Sequence, residues 1–503
     1  LETNTNNYID FIYKLSDEYL VDFDINLVGM DEVIPNELNY MNFDWQMKTP
    51  QTEKSKSNQD MYTGIHYQYL SDKEVDYLSF TKTDEEEVNS RLSWVAFKQQ
   101  FFSSILISKS GFEKPTLLKS IKNENSDYIK DLSAKFELPF NHQRDETLNF
   151  QFFFGPNHYK TLLSYDKQFE ELVPLGWGIF GWVNKYVIIN IFDFLSKYIK
   201  SFGIIILLLT LIIKLVLAPF TYKAFLSQAK MKVLKPEIDK INDKHKTKDP
   251  MKVQQETMGL YRKAGVNPMG GCLPMLFQFP ILIAMFRFFP ASIELRQESF
   301  LWADDLSAYD SIYNLGFEIP FYGDHVSLFT LLMTISTLLY TRMNSQMATG
   351  QMAQMKWMMY LMPIMFLGFF NNYAAGLSYY YFLANMFTFS QMYFMKRLVD
   401  EDAILAQLEE NKIGLHFENT TDSDQLQKHT EYALVSKNDP NSAIPQQLVD
   451  KFFDSLVGFN TNGRSVPDMT QPAGLRYGSL DRPRQSWYKD KLNALKVIVK
   501  FIN

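Results

Sequence analysis

Hydrophobic positions follow two different patterns along this chain. From residue 1 to about residue 172, short alternating or aromatic runs are separated by clusters of Asn, Asp, Gly and Pro, a pattern typical of strands and turns. The clearest of these runs are Tyr19–Val28, Thr63–Tyr69, Val75–Phe80 and Leu148–Phe154. This spacing predicts a β-sandwich over residues 1–172. Arg91–Lys109 fits either a long strand or a short helix.

The pattern changes between Val173 and Ser201, where aromatic residues are interleaved with lysines. Such a segment predicts an interfacial amphipathic helix, here over residues 173–201, that leads into a membrane. Apolar runs of membrane-spanning length then fill a core over residues 202–397. We expect spans at about residues 202–220, 272–290, 325–342, 357–373 and 376–395.

The charges of the connecting loops predict the orientation of these spans. The net charge of −7 averages over regions of opposite sign. Residues 221–265 carry eleven Lys and Arg against five Asp and Glu, whereas residues 291–324 carry one Arg against seven acids. Basic loops remain in the cytoplasm, so residues 1–200 should lie outside it and the C-terminal tail inside. Five spans leave no element to translocate the N-terminal region, and we therefore expect a signal or anchor helix before Leu1.

Two polar segments flank the predicted spans on the cytoplasmic side. Within residues 221–265, Leu234, Ile238 and Ile241 repeat at helical spacing before a polar break, which predicts a helical hairpin. This hairpin could be a solvated connection, or a landing surface for a polyanion or an incoming chain. In the tail, residues 398–503, we expect a largely flexible extension beyond residue 413, because prolines are frequent and periodic runs are few.

A lysine stands near the middle of the first predicted span. Lys214 lies in the apolar run Phe202–Phe220, and a charge at bilayer depth costs roughly 2.5–3.5 kcal/mol. Thr210 precedes it by four residues and therefore shares its helical face. The side chain could extend along the helix to the headgroups, or it could face a polar site inside the protein. The segment alone leaves both interpretations open.

Other polar residues interrupt the later spans. Gln278 places an amide in apolar surroundings and needs a hydrogen-bonding partner, either a neighbouring helix or a functional site. Tyr379–Tyr381 and Asn385 lie near the start of the last span, where tyrosines usually form an interfacial belt. A single cysteine, Cys272, permits no internal disulfide. We recognise no catalytic, metal-ligating or cofactor-binding constellation and expect no enzymatic activity.

One stretch resembles a known family. The run Tyr261–Pro280 (YRKAGVNPMGGCLPMLFQFP), with Ser292–Arg296 (SIELR) and Phe300–Leu306 (FLWADDL), resembles the YidC/Oxa/Alb membrane protein insertases. The resemblance covers about residues 90–410. It implies a water-filled groove that is open to the cytoplasm and to lipid, closed externally, and lined by a basic residue. That residue, generally arginine in the family, corresponds to Lys214.

The resemblance also implies further groove residues and partners. It assigns Thr210, Gln278 and Tyr381 to the groove, and we place Tyr380 and Asn385 with them. The implied architecture is a polytopic α-helical membrane core with an N-terminal extracytoplasmic β-sandwich domain, as in Gram-negative members, here without its N-terminal part. The implied partners are nascent membrane proteins, the lipid bilayer, the Sec translocon and the ribosome. Because the tail is nearly neutral where the family often has a basic one, we do not expect it to dock the ribosome.

Two other classes of protein fit some of these observations. An intramembrane lysine is also expected in a solute or ion transporter, although that class predicts inverted repeats that the five spans do not display. A membrane-anchored periplasmic binding protein would instead act through the β domain of residues 1–172.

Overall fold

The computed structural model describes most of the chain up to residue 408. The described residues are 2–4, 6–15, 18–113, 115–123, 127–244, 250–267, 273–345, 356–399 and 403–408. Residues 1–262 and 266–406 form one compact unit, and residues 263–265, 407 and 408 lie outside it. Cys272 and the tail predicted to be flexible beyond residue 413 lie outside the described residues.

The N-terminal region consists of two antiparallel sheets. Its strands are β1 Glu2–Asn4, β2 Asn7–Leu15, β3 Leu20–Val28, β4 Tyr40–Pro50, β5 Gly64–Tyr69, β6 Val75–Tyr77, β7 Asp84–Val88, β8 Leu92–Lys98, β9 Phe102–Phe112, β10 Thr116–Lys122, β11 Tyr128–Pro139 and β12 Asp145–Pro156. One sheet has the order β1-β2-β3-β12-β9-β8-β5-β6, and the other has the order β4-β11-β10-β7. Phe23 and Phe97 from the first sheet share a core with Leu118 and Phe136 from the second. The prediction of a β-rich N-terminal domain is confirmed.

Strand β8 is buried on both faces, which explains why its sequence was ambiguous. Val95 and Phe97 point into the core between the sheets, whereas Trp94 and Ala96 belong to a second apolar cluster shared with the helices. Burial on both faces removes the alternation that identifies a half-exposed strand. The expectation of one long strand or a short helix over Arg91–Lys109 is wrong, because the chain turns between β8 and β9.

Helices dominate the rest of the described chain. They are α1 Lys56–Tyr62, α2 Tyr159–Ser164, α3 Gly178–Val183, α4 Ile189–Ser196, α5 Phe202–Val233, α6 Lys235–Lys244, α7 Pro250–Lys263, α8 Leu273–Ala291, α9 Leu328–Ser345, α10 Lys356–Asn371 and α11 Ala375–Leu398. Between α8 and α9, strands β13 Tyr313–Ile319 and β14 Gly323–Val326 form a separate antiparallel pair. Helices therefore lie at all five predicted spans; four of them have ends within about three residues of those predicted, and α5 extends further.

Two predicted boundaries are wrong. Helix α5 continues through Pro219 to Val233, so the cytoplasmic hairpin comprises α6 and α7 and not the whole of residues 221–265. The predicted amphipathic helix over 173–201 extends only from Gly178 to Ser196 and contains a π-helical turn, Asn184–Ile188. The buried Asn184 amide there donates to the Leu175 carbonyl at 2.7 Å and to the Ala284 carbonyl at 2.8 Å, which ties this turn to α8.

Length and composition single out α5 among these helices. Within the described residues it is the one helix long and apolar enough to cross a membrane by those criteria. Leu276–Ala291, Leu328–Met343 and Trp357–Asn371 are shorter apolar helices. Helix α11 is long enough, but it carries Ser, Asn, Thr and Gln side chains that lower its apolar character.

The eight-stranded sheet packs directly against the helices. Phe153 and Leu172 belong to the same apolar cluster as Phe192 and Phe288, so residue 172 does not separate two hydrophobic cores. Polar contacts surround this packing. The Arg296 guanidinium donates to Glu53 at 3.0 Å, the Asn58 amide to the Asn372 carbonyl at 3.1 Å, and the Gln100 amide to the Pro290 carbonyl at 3.0 Å.

Two lysines are buried inside the β domain beside the end of α1. Lys130 is completely buried and donates to the carbonyls of Asp60, Thr63 and Phe80 at 2.6–3.0 Å. Lys98 is 2% exposed and donates to the Tyr62 carbonyl at 2.7 Å. Burial, together with the nearby positive charge of Lys130, lowers the pKa of Lys98 from 10.5 to about 7.

We expect Lys98 to make stability depend on pH. Below about pH 7 both folded and unfolded states hold the proton, and the folded state bears the full cost of the buried charge. Between about pH 7 and the pKa of 10.5 that Lys98 has in the unfolded chain, the unfolded state holds more protons than the folded state. The free energy of unfolding should therefore rise with pH by up to about 1.4 kcal/mol per pH unit.

Thermal unfolding of the detergent-solubilised protein at several pH values between 7 and 10 measures this slope. Lys98→Met should flatten the slope, whereas Lys135→Met, a change at a lysine whose side chain is 54% exposed, should not. Equal slopes in the two variants would contradict the assignment.

Candidate functional site

Helix α11 packs against both α5 and α9 and carries the polar groups that link them. On the α9 side, the Asn385 amide donates to Ser336 Oγ at 3.0 Å and to Thr337 Oγ1 at 2.9 Å. On the α5 side, Thr388 and Gln391 face Lys214. A helix with polar groups on two sides is stable among apolar neighbours only when those groups find partners.

Lys214 points from α5 at α11. Its ammonium donates to Thr388 Oγ1 at 2.9 Å, and the Thr388 hydroxyl in turn donates to the Ala384 carbonyl at 2.7 Å. The Gln391 amide donates to the Lys214 carbonyl at 3.0 Å, so two side chains of α11 hold this one position. Only 6% of Lys214 is exposed. The lysine is thus held inside the helix bundle.

This buried ammonium has no acidic counter-charge in the bundle. Helices α5, α8, α9, α10 and α11 contain no Asp or Glu. Within the part of the chain that the structure describes, Lys214 forms no ion pair, and its side-chain partner is the neutral Thr388 hydroxyl. A buried charge without a counter-ion is costly, and it attracts any anion or water that reaches it.

A small, partly open cleft between α5 and α8 gives access to Lys214. The cleft is lined by Lys214, Leu217, Phe220, Thr221, Phe277 and Gln278. Phe220 and Phe277 pack with ring centroids 4.4 Å apart and form its apolar wall. The structure therefore brings together Lys214 and Gln278, two residues predicted for one groove from distant parts of the sequence.

The other predicted groove residues use their polar atoms elsewhere. Thr210 is fully buried, and its hydroxyl donates to the Ile206 carbonyl one turn back at 2.7 Å. Tyr380 packs against Phe289, and the Tyr381 hydroxyl lies 3.5 Å from the Leu282 carbonyl on α8. The expectation of an interfacial belt is wrong, because Tyr379 and Tyr380 are 5% and 3% exposed. A groove role for Thr210, Tyr380, Tyr381 and Asn385 stays a prediction.

Sequence reasoning missed the residues that contact Lys214. Tyr381, Asn385 and Thr388 repeat at spacings of four and three, so a search for a polar stripe along α11 would have found Thr388. Gln391 lies one turn further on. Its Oε1 atom is buried without a protein partner, as is Oγ1 of Thr334 on α9. Buried polar atoms of this kind are ordinarily satisfied by water, which indicates a bundle interior able to hold it.

We expect the Thr388 hydroxyl to stabilise the bundle. Thr388→Val should lower the free energy of unfolding by about 1–3 kcal/mol, because it leaves the buried ammonium without this partner. Thr388→Ser keeps the hydroxyl and should retain most of the stability. Thermal unfolding in detergent micelles compares the two variants, and a valine variant as stable as the parent would show that Lys214 is satisfied without Thr388.

Together these features define a class of protein. A lysine kept inside an apolar, acid-free helix bundle, with an accessible cleft and a β-rich domain packed against the helices, is typical of membrane proteins that receive polar groups within the bilayer. Two family models cover almost the whole described chain. The model described as 60Kd inner membrane protein matches residues 194–402, and that of the YidC periplasmic domain matches residues 1–189.

Similar proteins agree with both matches. The chain is 49% identical over 424 residues to the membrane protein insertase YidC of Bacteroides fragilis, an alignment that covers 82% of this chain and 68% of the relative. Identity to the proteins of the same name is 46% over 429 residues in Parabacteroides distasonis and 42% over 432 residues in Porphyromonas gingivalis. These alignments cover 82% of this chain and 68% and 69% of the two relatives. The chain therefore belongs to the YidC family of membrane protein insertases.

Membership of this family confirms the function expected from the resemblance. The protein is a membrane protein insertase of the inner-membrane type, with an N-terminal periplasmic domain and a helical C-terminal region. The rival interpretations as a solute transporter or as a periplasmic binding protein have no support in these matches.

Proposed function

We propose that α5, α8, α9, α10 and α11 all cross the inner membrane. Five helices at the predicted positions and loops of alternating charge support this arrangement, with the β domain in the periplasm and the tail in the cytoplasm. Three polar side chains of α11, those of Ser378, Asn385 and Thr388, face α9 or α5 rather than lipid. A helix with such polar side chains is stable in a bilayer when neighbouring helices of a bundle bind those side chains.

In this proposal the cleft beside Lys214 is the cytoplasmic opening of the insertion groove. Water held by Lys214, Gln278 and the unpartnered Gln391 oxygen would lower the cost of bringing a substrate's hydrophilic segment part-way across the bilayer. The apolar helix of the substrate would leave sideways into lipid. No bond is made or broken, so the process requires no catalytic residue and no cofactor.

The observation that carries this proposal is the absence of any acid from the helices around Lys214. An ammonium in an acid-free bundle attracts acidic residues of the translocated segment, and no internal carboxylate competes for it. The charge is therefore available to a substrate that reaches the cleft.

The helical hairpin α6–α7 would meet the nascent chain first. Leu234 and Ile238 are buried, whereas Met251 and Met258 are 78% and 44% exposed and offer adaptable apolar contacts beside the basic side chains. Residues 221–265 carry an excess of six positive charges, which also suits contact with a ribosome. The Sec translocon stays a predicted partner.

We expect Lys214→Met to slow the insertion of a substrate whose translocated segment carries an aspartate. Loss of one charge attraction worth about 1.4 kcal/mol corresponds to roughly tenfold in rate. Lys214→Arg should retain most of the activity, because the charge is kept. Insertion of a translated substrate into proteoliposomes, at equal amounts of each variant, gives the rates.

Two controls separate the groove charge from general effects. Lys135→Met removes an exposed lysine from the β domain, outside the proposed insertion machinery, and should leave the rate unchanged. A substrate with asparagine in place of its aspartate should lose its dependence on Lys214. If both substrates respond equally to Lys214→Met, the lysine does not act through charge pairing.

A further inference from the structure

The β13–β14 hairpin displays a row of apolar side chains that nothing in the described chain covers. Tyr313 is 65% exposed, Phe317 is 62% exposed, Ile319 is 37% exposed and Phe321 is 97% exposed. These residues lie in the loop between α8 and α9, on the predicted periplasmic side. So many large apolar side chains on one short hairpin mark an interaction surface.

The backbone conformation of Phe321, at the tip of the hairpin, indicates that this residue has a function. Its φ angle is +67°, in the left-handed region that bulky residues rarely adopt and that glycine adopts without cost. A phenylalanine here costs stability and gains no packing, since its ring is almost entirely exposed. Strain of this kind is characteristic of functional positions.

The turn of the hairpin and strand β14 are fixed to the end of α10. The Asn371 amide donates to the carbonyls of Tyr322 at 2.9 Å and His325 at 2.8 Å, and the Asn372 amide donates to the Tyr322 carbonyl at 2.8 Å. His325 is 3% exposed and stacks on Tyr309 with ring centroids 3.8 Å apart. The apolar tip is therefore held in a defined position against α10.

The tip continues the exposed apolar face of α10. Met365 is 63% exposed and Phe369 is 50% exposed on that helix. Between them, a Cβ atom at Gly368 would lie only 2.8 Å from the Phe321 carbonyl, so the hairpin backbone touches the helix at this point. The surface that α10 offers to lipid thus extends onto the hairpin without a break.

We propose that the hairpin tip inserts into the periplasmic leaflet of the bilayer, at the boundary between headgroups and acyl chains. The inference rests on the proposed placement of α10 as a membrane span. Residues 313–326 include Glu318 and Asp324 and no Lys or Arg, so attraction to anionic headgroups is not involved. The occupant that fits is a zwitterionic lipid surface, entered by aromatic rings as in other interfacial belts.

The test uses an environment-sensitive fluorophore on a cysteine that replaces Phe317, in a Cys272→Ser background. The labelled full chain is reconstituted into zwitterionic vesicles with or without lipids that carry a quencher near the headgroup boundary. We expect quenching of at least half the emission, unchanged by high salt. A label on a cysteine replacing Tyr40 is the control, because strand β4 places it about 30 Å from the end that meets the helices.

Phe321→Gly separates lipid contact from folding. Glycine relieves the backbone strain, so thermal stability in detergent should be unchanged or higher. In vesicles the same variant should show at least a twofold loss of quenching at position 317. Quenching at position 317 no greater than at position 40, or quenching that survives Phe321→Gly intact, would overturn the proposal.

Insertion assays distinguish this proposal from the proposed function. A hairpin that is quenched by lipid while Lys214→Met inserts substrates at the normal rate would leave the lipid contact standing and remove the groove role. The reverse result would remove only the lipid contact.

Discussion

A buried positive charge in an acid-free bundle is the constraint on which the helical region depends. The Lys214 ammonium has to lie where an acceptor can reach it, and Thr388 on α11 supplies one. Gln391 on the same helix donates to the Lys214 backbone carbonyl. Helix α11 in turn uses Ser378 and Asn385 to bind α9. A few hydrogen bonds therefore hold α5, α9 and α11 together. In apolar surroundings, each of these bonds satisfies a polar group that would otherwise lack a partner.

Much of this could be predicted from the sequence, because long apolar runs and alternating strand patterns are strong local signals. The five helices, the β-rich domain and the unusual position of Lys214 in an apolar helix were all visible in local patterns. The partner of Lys214 was not, since Thr388 lies 174 residues away and only the packing of α5 on α11 brings them together. Tyr379 and Tyr380 were misjudged for the same reason. Their position near a helix end resembles an interfacial belt, and only tertiary packing buries them.

Strand β8 and helix α5 illustrate a second reason why a prediction from sequence can be wrong. A strand covered on both faces loses its alternation, so its type cannot be read from hydrophobicity alone. Helix α5 continues past Pro219, whose missing amide hydrogen leaves one gap in the helix ladder without ending the helix. In both cases the sequence carried a local signal, but tertiary packing determined the type of the element or the position of its end.

The sheet that contains β8 also has a consequence for how the protein is made. One of its faces is completed by the second sheet, and the other lies against a segment that follows the last strand, in which Phe169 contacts both Trp94 and Phe153. The domain can therefore complete this face only after the chain extends beyond β12 to the turn that carries Phe169. A fragment that ended at β12 would lack the Phe169 contacts of Trp94 and Phe153, so the folding unit extends beyond the last strand of the sheet.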